Sequence, residues 1–245
     1  MTRWRERSVT KLEVPQASGV ACVGSGRFLV ADDDHGVYLA DAGGAAELVA
    51  SRDEHPELRD LEGICLGPDG SVWVLSERTS AVLALPLERA GDHVHLGPPR
   101  LVGELEHLAK KRNKGWEGIA RGDGPTVLSC HEARPRRVGV FRASDLRTEA
   151  LLSLPADLGD ALPDLSDLTV DPASGHLLLL SDESATLAEV AVRCEGGVPR
   201  ALETVGVTRL ALGKREKAEG LCFDEDGILW LVTDGKPRLR SFTRA

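Results

Sequence analysis

LEGICLGPDGSVWVLSE, residues 61–77, reads as two short apolar strands joined by a Pro-Asp-Gly turn. Alone it is a hairpin and decides little. Its weight comes from recurrence. ASGVACVGSGRFLVADD from Ala17, WEGIARGDGPTVLSCHE from Trp116, LSDLTVDPASGHLLLLSD from Leu165 and AEGLCFDEDGILWLVTD from Ala218 repeat the same order of strand, turn and strand. The second residues of the five segments, Ser18, Glu62, Glu117, Ser166 and Glu219, recur 44 to 55 residues apart. The interval from Glu219 through the C-terminus back to Ser18 is again 44. A chain that closes on itself predicts such a wrapped interval, and periods of this size mark repeat architectures.

Working outward, each repeat continues with two further strand-like runs. AVLALPLE (Ala81 to Glu88) and PRLVGEL (Pro99 to Leu105) follow the second hairpin, and TLAEVAVR and ALETVGV follow the fourth. Four short strands in roughly 50 residues is a propeller blade. The last repeat has only three, ending in RLRSFTRA, so RSVTKLEV (Arg7 to Val14) is expected to supply its fourth strand and close the ring. The expected fold is an all-β, five-bladed β-propeller of four-stranded blades, one domain over residues 1–245. A six-bladed ring would need about 41 residues per blade, and no sixth copy is found.

The columns agree. Val20, Ile64, Ile119, Leu168 and Leu221 are branched aliphatics. The next column, Ala21, Cys65, Ala120, Thr169 and Cys222, is small, as crowded innermost strands require. Phe28, Trp73, Val127, Leu178 and Trp230 form a bulky column expected to pack between blades. Helical signals are confined to PELRDLEG and ELEHLAKKRNKG, charged connections expected to hold at most a turn of helix.

Composition bounds the function. The chain of 245 residues is 42% hydrophobic and 28% charged, ordinary for a globular protein. Its net charge of −9 argues against nucleic acid as a partner. No apolar run approaches the roughly 18 residues of a membrane span. The opening MTRWRERSVTKLEV lacks the apolar core of a secretory signal, so a cytoplasmic protein away from membranes is expected. Five Cys without metal-type spacing indicate neither a disulfide framework nor a zinc site. Cys22, Cys65 and Cys222 read as small buried apolar residues.

In a propeller, repeated positions become rings. The first is Ser18, Glu62, Glu117, Ser166 and Glu219, three carboxylates and two hydroxyls. The second, from the ends of the second strands, is Asp32, Glu77, His131, Asp182 and Asp234. Two carboxylates about 4 Å apart repel by about 4 kcal/mol at an effective dielectric of 20, so such groups take up protons or share a cation. An oxygen-only donor set suits calcium, which accepts six to eight oxygens, better than magnesium or zinc. Ser18, Glu62, Glu117, Ser166 and Glu219 are therefore the expected calcium ligands. Acids that merely cap loops or face solvent are the alternative.

The repeated EG[IL], the strand ends LSE and LSDE, and the stretches NKGWEGIA and DLSDLTVDPASGHLLLLSDES resemble the SdiA-regulated (YjiK-like) family of bacterial β-propellers, from Leu61 to the C-terminus. More distantly, the order Ser, Glu, Glu, Ser, Glu resembles the central calcium ring of five-bladed calcium-activated nucleotidases (apyrases). That resemblance implies Ser18, Glu62, Glu117, Ser166 and Glu219 as ligands. Phytase-like propellers share acidic EG patterns too, which widens the hydrolases implied.

Other motifs fail. In Asp32-Asp33-Asp34-His35-Gly36 an EF-hand would need a ligand where Gly36 stands and Glu where Gly43 stands. Gly24-Ser25-Gly26 opens no helix, so it is no dinucleotide fingerprint. Basic residues collect in connections on the ring-bearing face: Lys110, Lys111, Arg112, Lys114, Arg134, Arg136, Arg137, Lys214, Arg215 and Lys217. With a cation at the axis they would suit a small anionic molecule, although acids share the same loops. Two functions stay open. One is a calcium-dependent hydrolase of phosphate or carboxylic esters, with Glu77, His131, Asp182 or Asp234 activating water. The other is a non-catalytic monomer that binds a small anionic molecule or a protein, its calcium structural.

Overall fold

The computed structural model describes residues 4–90, 93–108, 115–132 and 134–245. The repeats fold as five antiparallel four-stranded sheets. The inner strands of blades one to five are Ala17–Gly24, Leu61–Leu66, Trp116–Arg121, Asp167–Val170 and Lys217–Phe223. Each touches the inner strands on either side, and the fifth returns to the first, so the ring is closed. Blade five takes its outer strand, Trp4–Lys11, from the other end of the chain, paired antiparallel with Arg238–Arg244. PELRDLEG runs from turns and bends into the inner strand Leu61–Leu66 and holds no helix, and residues 109–114 of the second charged connection lie outside the described residues. The one helical turn described is a 3-10 turn at Ala156–Leu158. Among the described residues, no helix is long and apolar enough to cross a membrane.

A sheet buried on both faces needs apolar residues at consecutive positions, which is why VWVLS and LLLLS read as unbroken runs. The core accordingly falls into five clusters, one between each pair of neighbouring blades. All five residues of the bulky column pack between blades, as expected, but not on the same side: Trp73, Leu178 and Trp230 face the following blade, and Phe28 and Val127 face the preceding one. Strand register makes Leu29 and Leu128 the equivalents of Trp73, because Ala21 pairs with Leu29 and Ala120 with Leu128 as Cys65 pairs with Trp73. A slip of one residue changes the face, so Phe28 packs toward blade five, 4.7 Å from Trp230 between ring centroids.

The glycine of the EG pair is explained by close approach. A Cβ on Gly63 would lie 2.7 Å from the Glu117 carbonyl oxygen, and one on Gly118 would lie 2.1 Å from Asp167 Oδ1. Inner strands at the axis come together backbone to backbone, and a side chain would hold them apart. In blade four this column carries Asp167, whose buried carboxylate accepts the Leu221 amide at 2.6 Å and so ties the last two inner strands.

Ring closure is ionic as well as hydrogen-bonded. Arg240, 5% exposed, pairs with Glu6 of the N-terminal strand and with Glu216 of the connection entering blade five. Arg244 pairs with Asp171 of blade four, and its guanidinium lies 5.1 Å from the Trp4 ring centre.

Candidate metal centre

The connections from outer to inner strands and from second to third strands all emerge on one face, and there the axis opens into a pit of about 260 Å³. Ser18, Glu62, Glu117, Ser166 and Glu219, drawn from all five blades, line it together. The two serines also lock neighbouring blades. Ser166 donates to the Ala218 carbonyl at 2.8 Å, and Ser18 lies between the Leu61 and Ala31 carbonyls. With the hydroxyl hydrogen directed at a carbonyl, each serine offers the pit lone pairs and no nucleophile.

The second ring is corrected by the same one-residue slip that moved Phe28. Asp32 and His131 are the register equivalents of Ser76 and Thr233, which pair across their hairpins in the same columns. The residues that follow them, Asp33, Glu77, Glu132, Asp182 and Asp234, form the true column, and all five are acids. Asp33, Glu132, Asp182 and Asp234 line the pit. Asp32 is fully buried instead, accepting the amides of Gln16, Asp34 and His35 and the His35 ring, so it shapes the turn that carries Asp33. His131 is buried behind the wall, edge-on to Trp116 with centroids 5.3 Å apart, and has no face to a substrate in the pit. Glu132 was missed at the sequence level. The available signal was spacing, since the acid stands 15 residues after the first-ring residue in every blade except the fourth, where it stands 16 after.

The acids perturb one another. Burial, then the charges of Asp33 and Glu219, pushes the Glu62 carboxyl well above the usual range. Burial, then Glu62 and Glu77, does the same to Glu117. Glu219 is pushed up to about 8, first by burial and then by Asp182, with Lys217 opposing. Asp33 and Asp182 are also raised, chiefly by burial. Lys217 is the cation among the described lining residues. Lys110, Lys111, Arg112 and Lys114 lie outside the described residues, and Arg134, Arg136 and Arg137 line a separate cleft.

Among the described residues, the acids converge most closely between blades two and three. Glu77, Glu117 and Glu132 each bring a carboxylate oxygen within 4.8 Å of the others. Glu77 is held by the Gly115 amide, which donates to its Oε1 at 3.2 Å. Three carboxylate oxygens from three chain segments are a set that could hold a metal ion. Glu117 belongs both to this group and to the expected ring, whereas Glu62 and Glu219 stand elsewhere on the pit wall.

A family model described as SdiA-regulated matches residues 47–239. Among solved structures, glutaminyl cyclase of Myxococcus xanthus aligns at 11% identity and a TM-score of 0.61, over 99% of this chain and 97% of that one. The PQQ-bound aldose sugar dehydrogenase of Streptomyces coelicolor aligns at 11% identity and a TM-score of 0.60, over 100% and 99%. A gluconolactonase of Xanthomonas campestris aligns at 12% identity and a TM-score of 0.58, over 95% and 88%. At these identities the likeness is one of fold.

Proposed function

The chain belongs to the SdiA-regulated family, and we propose that its acidic pit binds calcium and hydrolyses a phosphate or carboxylic ester held there. The observation that carries the reading is the column of five acids facing a first ring with three more. So many carboxylates crowded into one pit oppose folding unless protons or a cation neutralise them. The donor chemistry fits a hard ion, since every side chain offered at the closest convergence is an oxygen ligand.

In this reading Glu77, Glu117 and Glu132 hold the ion, and Glu62 and Glu219 tune the charge around it. Bound calcium supplies a Lewis acid that polarises a carbonyl or phosphoryl oxygen. Asp182, its affinity for protons raised by burial, accepts a proton from water as the water oxygen bonds to carbon or phosphorus and the alcohol leaves. Lys217, on the same wall, offsets the charge of the departing oxygen. His131 takes no part. The description of the Xanthomonas protein adds lactones to the esters worth screening.

A second reading is favoured by the serines, whose hydroxyls are committed to backbone carbonyls, so that catalysis would rest on water and carboxylates alone. There the cation organises a ligand-binding face without turnover.

Calorimetric titration with calcium, followed by screening of aryl esters, lactones and phosphomonoesters, separates the readings. Calcium-dependent turnover that Asp182→Asn reduces at least 100-fold, with calcium affinity little changed, is expected. Calcium binding without turnover selects the second reading. Calcium affinity unaltered in Glu117→Gln would remove both.

A further inference from the structure

Beside the pit, on the same face, lies a second concavity of about 340 Å³ with the opposite charge. Arg134, Arg136 and Arg137 line one side, and the connection from Ser153 through Pro155 to Asp160 lines the other. Asp160 is the sole carboxylate among these residues. Three guanidiniums against one carboxylate leave an excess of two positive charges in a protein whose net charge is −9. No ion pair among the described residues uses any of the three arginines.

Two of the arginine heads are fixed by backbone. Arg136 Nη1 donates to the Gly159 carbonyl at 3.0 Å, which joins the two walls, and Arg137 Nη1 donates to the Arg136 carbonyl at 3.1 Å. A guanidinium has five N–H donors in a planar fork, so each head keeps most of its donors after this anchoring. Anchored forks are the groups that bind phosphoryl oxygens bidentately.

The cleft also connects to the pit by short lengths of chain. Arg134 follows Glu132 by two residues, and Asp164 follows Asp160 by four. Two residues span at most about 7 Å and four at most about 14 Å. One small molecule can therefore reach from the arginines to the pit wall.

We infer that this cleft is a phosphoryl-binding subsite, formed by Arg134, Arg136 and Arg137, that holds the charged end of a small phosphorylated ligand whose other end lies over the pit. Binding in the cleft stands on the arginines alone, while the placement of the ligand's second group rests on the cation reading proposed above. The excess of two positive charges matches a phosphomonoester dianion, and the cleft volume leaves room for the carbon skeleton next to it.

The test is calorimetric titration of the full chain with inorganic phosphate and with phenyl phosphate, at low ionic strength in chelator. Saturable one-to-one binding of both is expected, tighter for phenyl phosphate. Affinity should fall at least tenfold in Arg136→Gln/Arg137→Gln. It should fall about threefold in Arg134→Gln, an exposed position whose replacement spares the Arg136–Gly159 bond and so guards against a folding artefact. Glu117→Gln should keep phosphate binding, so a failure of calcium binding there is a separate result. No saturable binding of either probe, or undiminished affinity in the arginine variants, would overturn the subsite.

Discussion

The glycines and acids at the axis decide what this ring can tolerate. Gly118 faces Asp167 so closely that Gly118→Ala must push two inner strands apart. Overpacking of this kind costs about 1–3 kcal/mol and sometimes more, so the melting temperature should fall by several degrees while Gly124→Ala at an open turn, strained only by its positive φ, serves as a milder control. Glu117→Gln has the opposite sign in chelator. It replaces a buried carboxyl that its neighbours resist charging, so the metal-free variant should melt higher than the parent. Calcium should raise the parent's melting temperature and leave the variant's nearly unchanged. Differential scanning calorimetry with and without calcium reads both effects.

Among elements, the N-terminal strand carries the closure of the ring. Trp4–Lys11 completes blade five through its ladder with Arg238–Arg244, a Ser8–Ser241 hydroxyl contact at 2.6 Å, and the Glu6–Arg240–Glu216 triad. The Glu216 side chain is only 4% exposed. Arg240→Ala therefore leaves a buried carboxylate without its main partner, a change that typically costs about 3–5 kcal/mol. Adding Glu216→Gln should recover part of that loss. A double-mutant cycle by urea denaturation measures the coupling, and strictly additive effects would show that the triad does not act as a unit.

For the whole molecule, the charge gathered in the pit sets how stability varies with pH. The Glu219 carboxyl titrates near 8 in the folded protein against 4.5 for the ordinary group, and Glu62 and Glu117 are displaced in the same direction. The folded state thus keeps protons that the unfolded chain releases above about pH 4.5. Stability contributed by these groups is complete below the unfolded value and is lost as pH rises toward 8. The chelated protein should melt progressively lower between pH 5 and pH 8, and saturating calcium should flatten that slope. A melting temperature independent of pH in chelator would show that the acids do not interact as the geometry implies.

The repeat, the number of blades and the closing strand were legible in the sequence because each blade must solve the same packing problem. A hairpin buried on both faces, a small residue at the axis and a turn at fixed distance leave the same mark five times. Strand register was not legible from turn residues alone. One slipped position set Phe28 and Val127 beside residues that face the opposite neighbouring blade, and put Asp32 and His131 in a ring that belongs to Asp33 and Glu132. A β-strand changes side at every residue, so the hydrogen-bonded ladder is needed to say which acid faces the axis. Tertiary structure alone also set Glu77, Glu117 and Glu132 together and opened the arginine cleft beside them. The acid group joins blade two to blade three, and the cleft joins two connections of blade three that are distant in sequence, so both depend on how the sheet and its neighbours fold together, which no local pattern encodes.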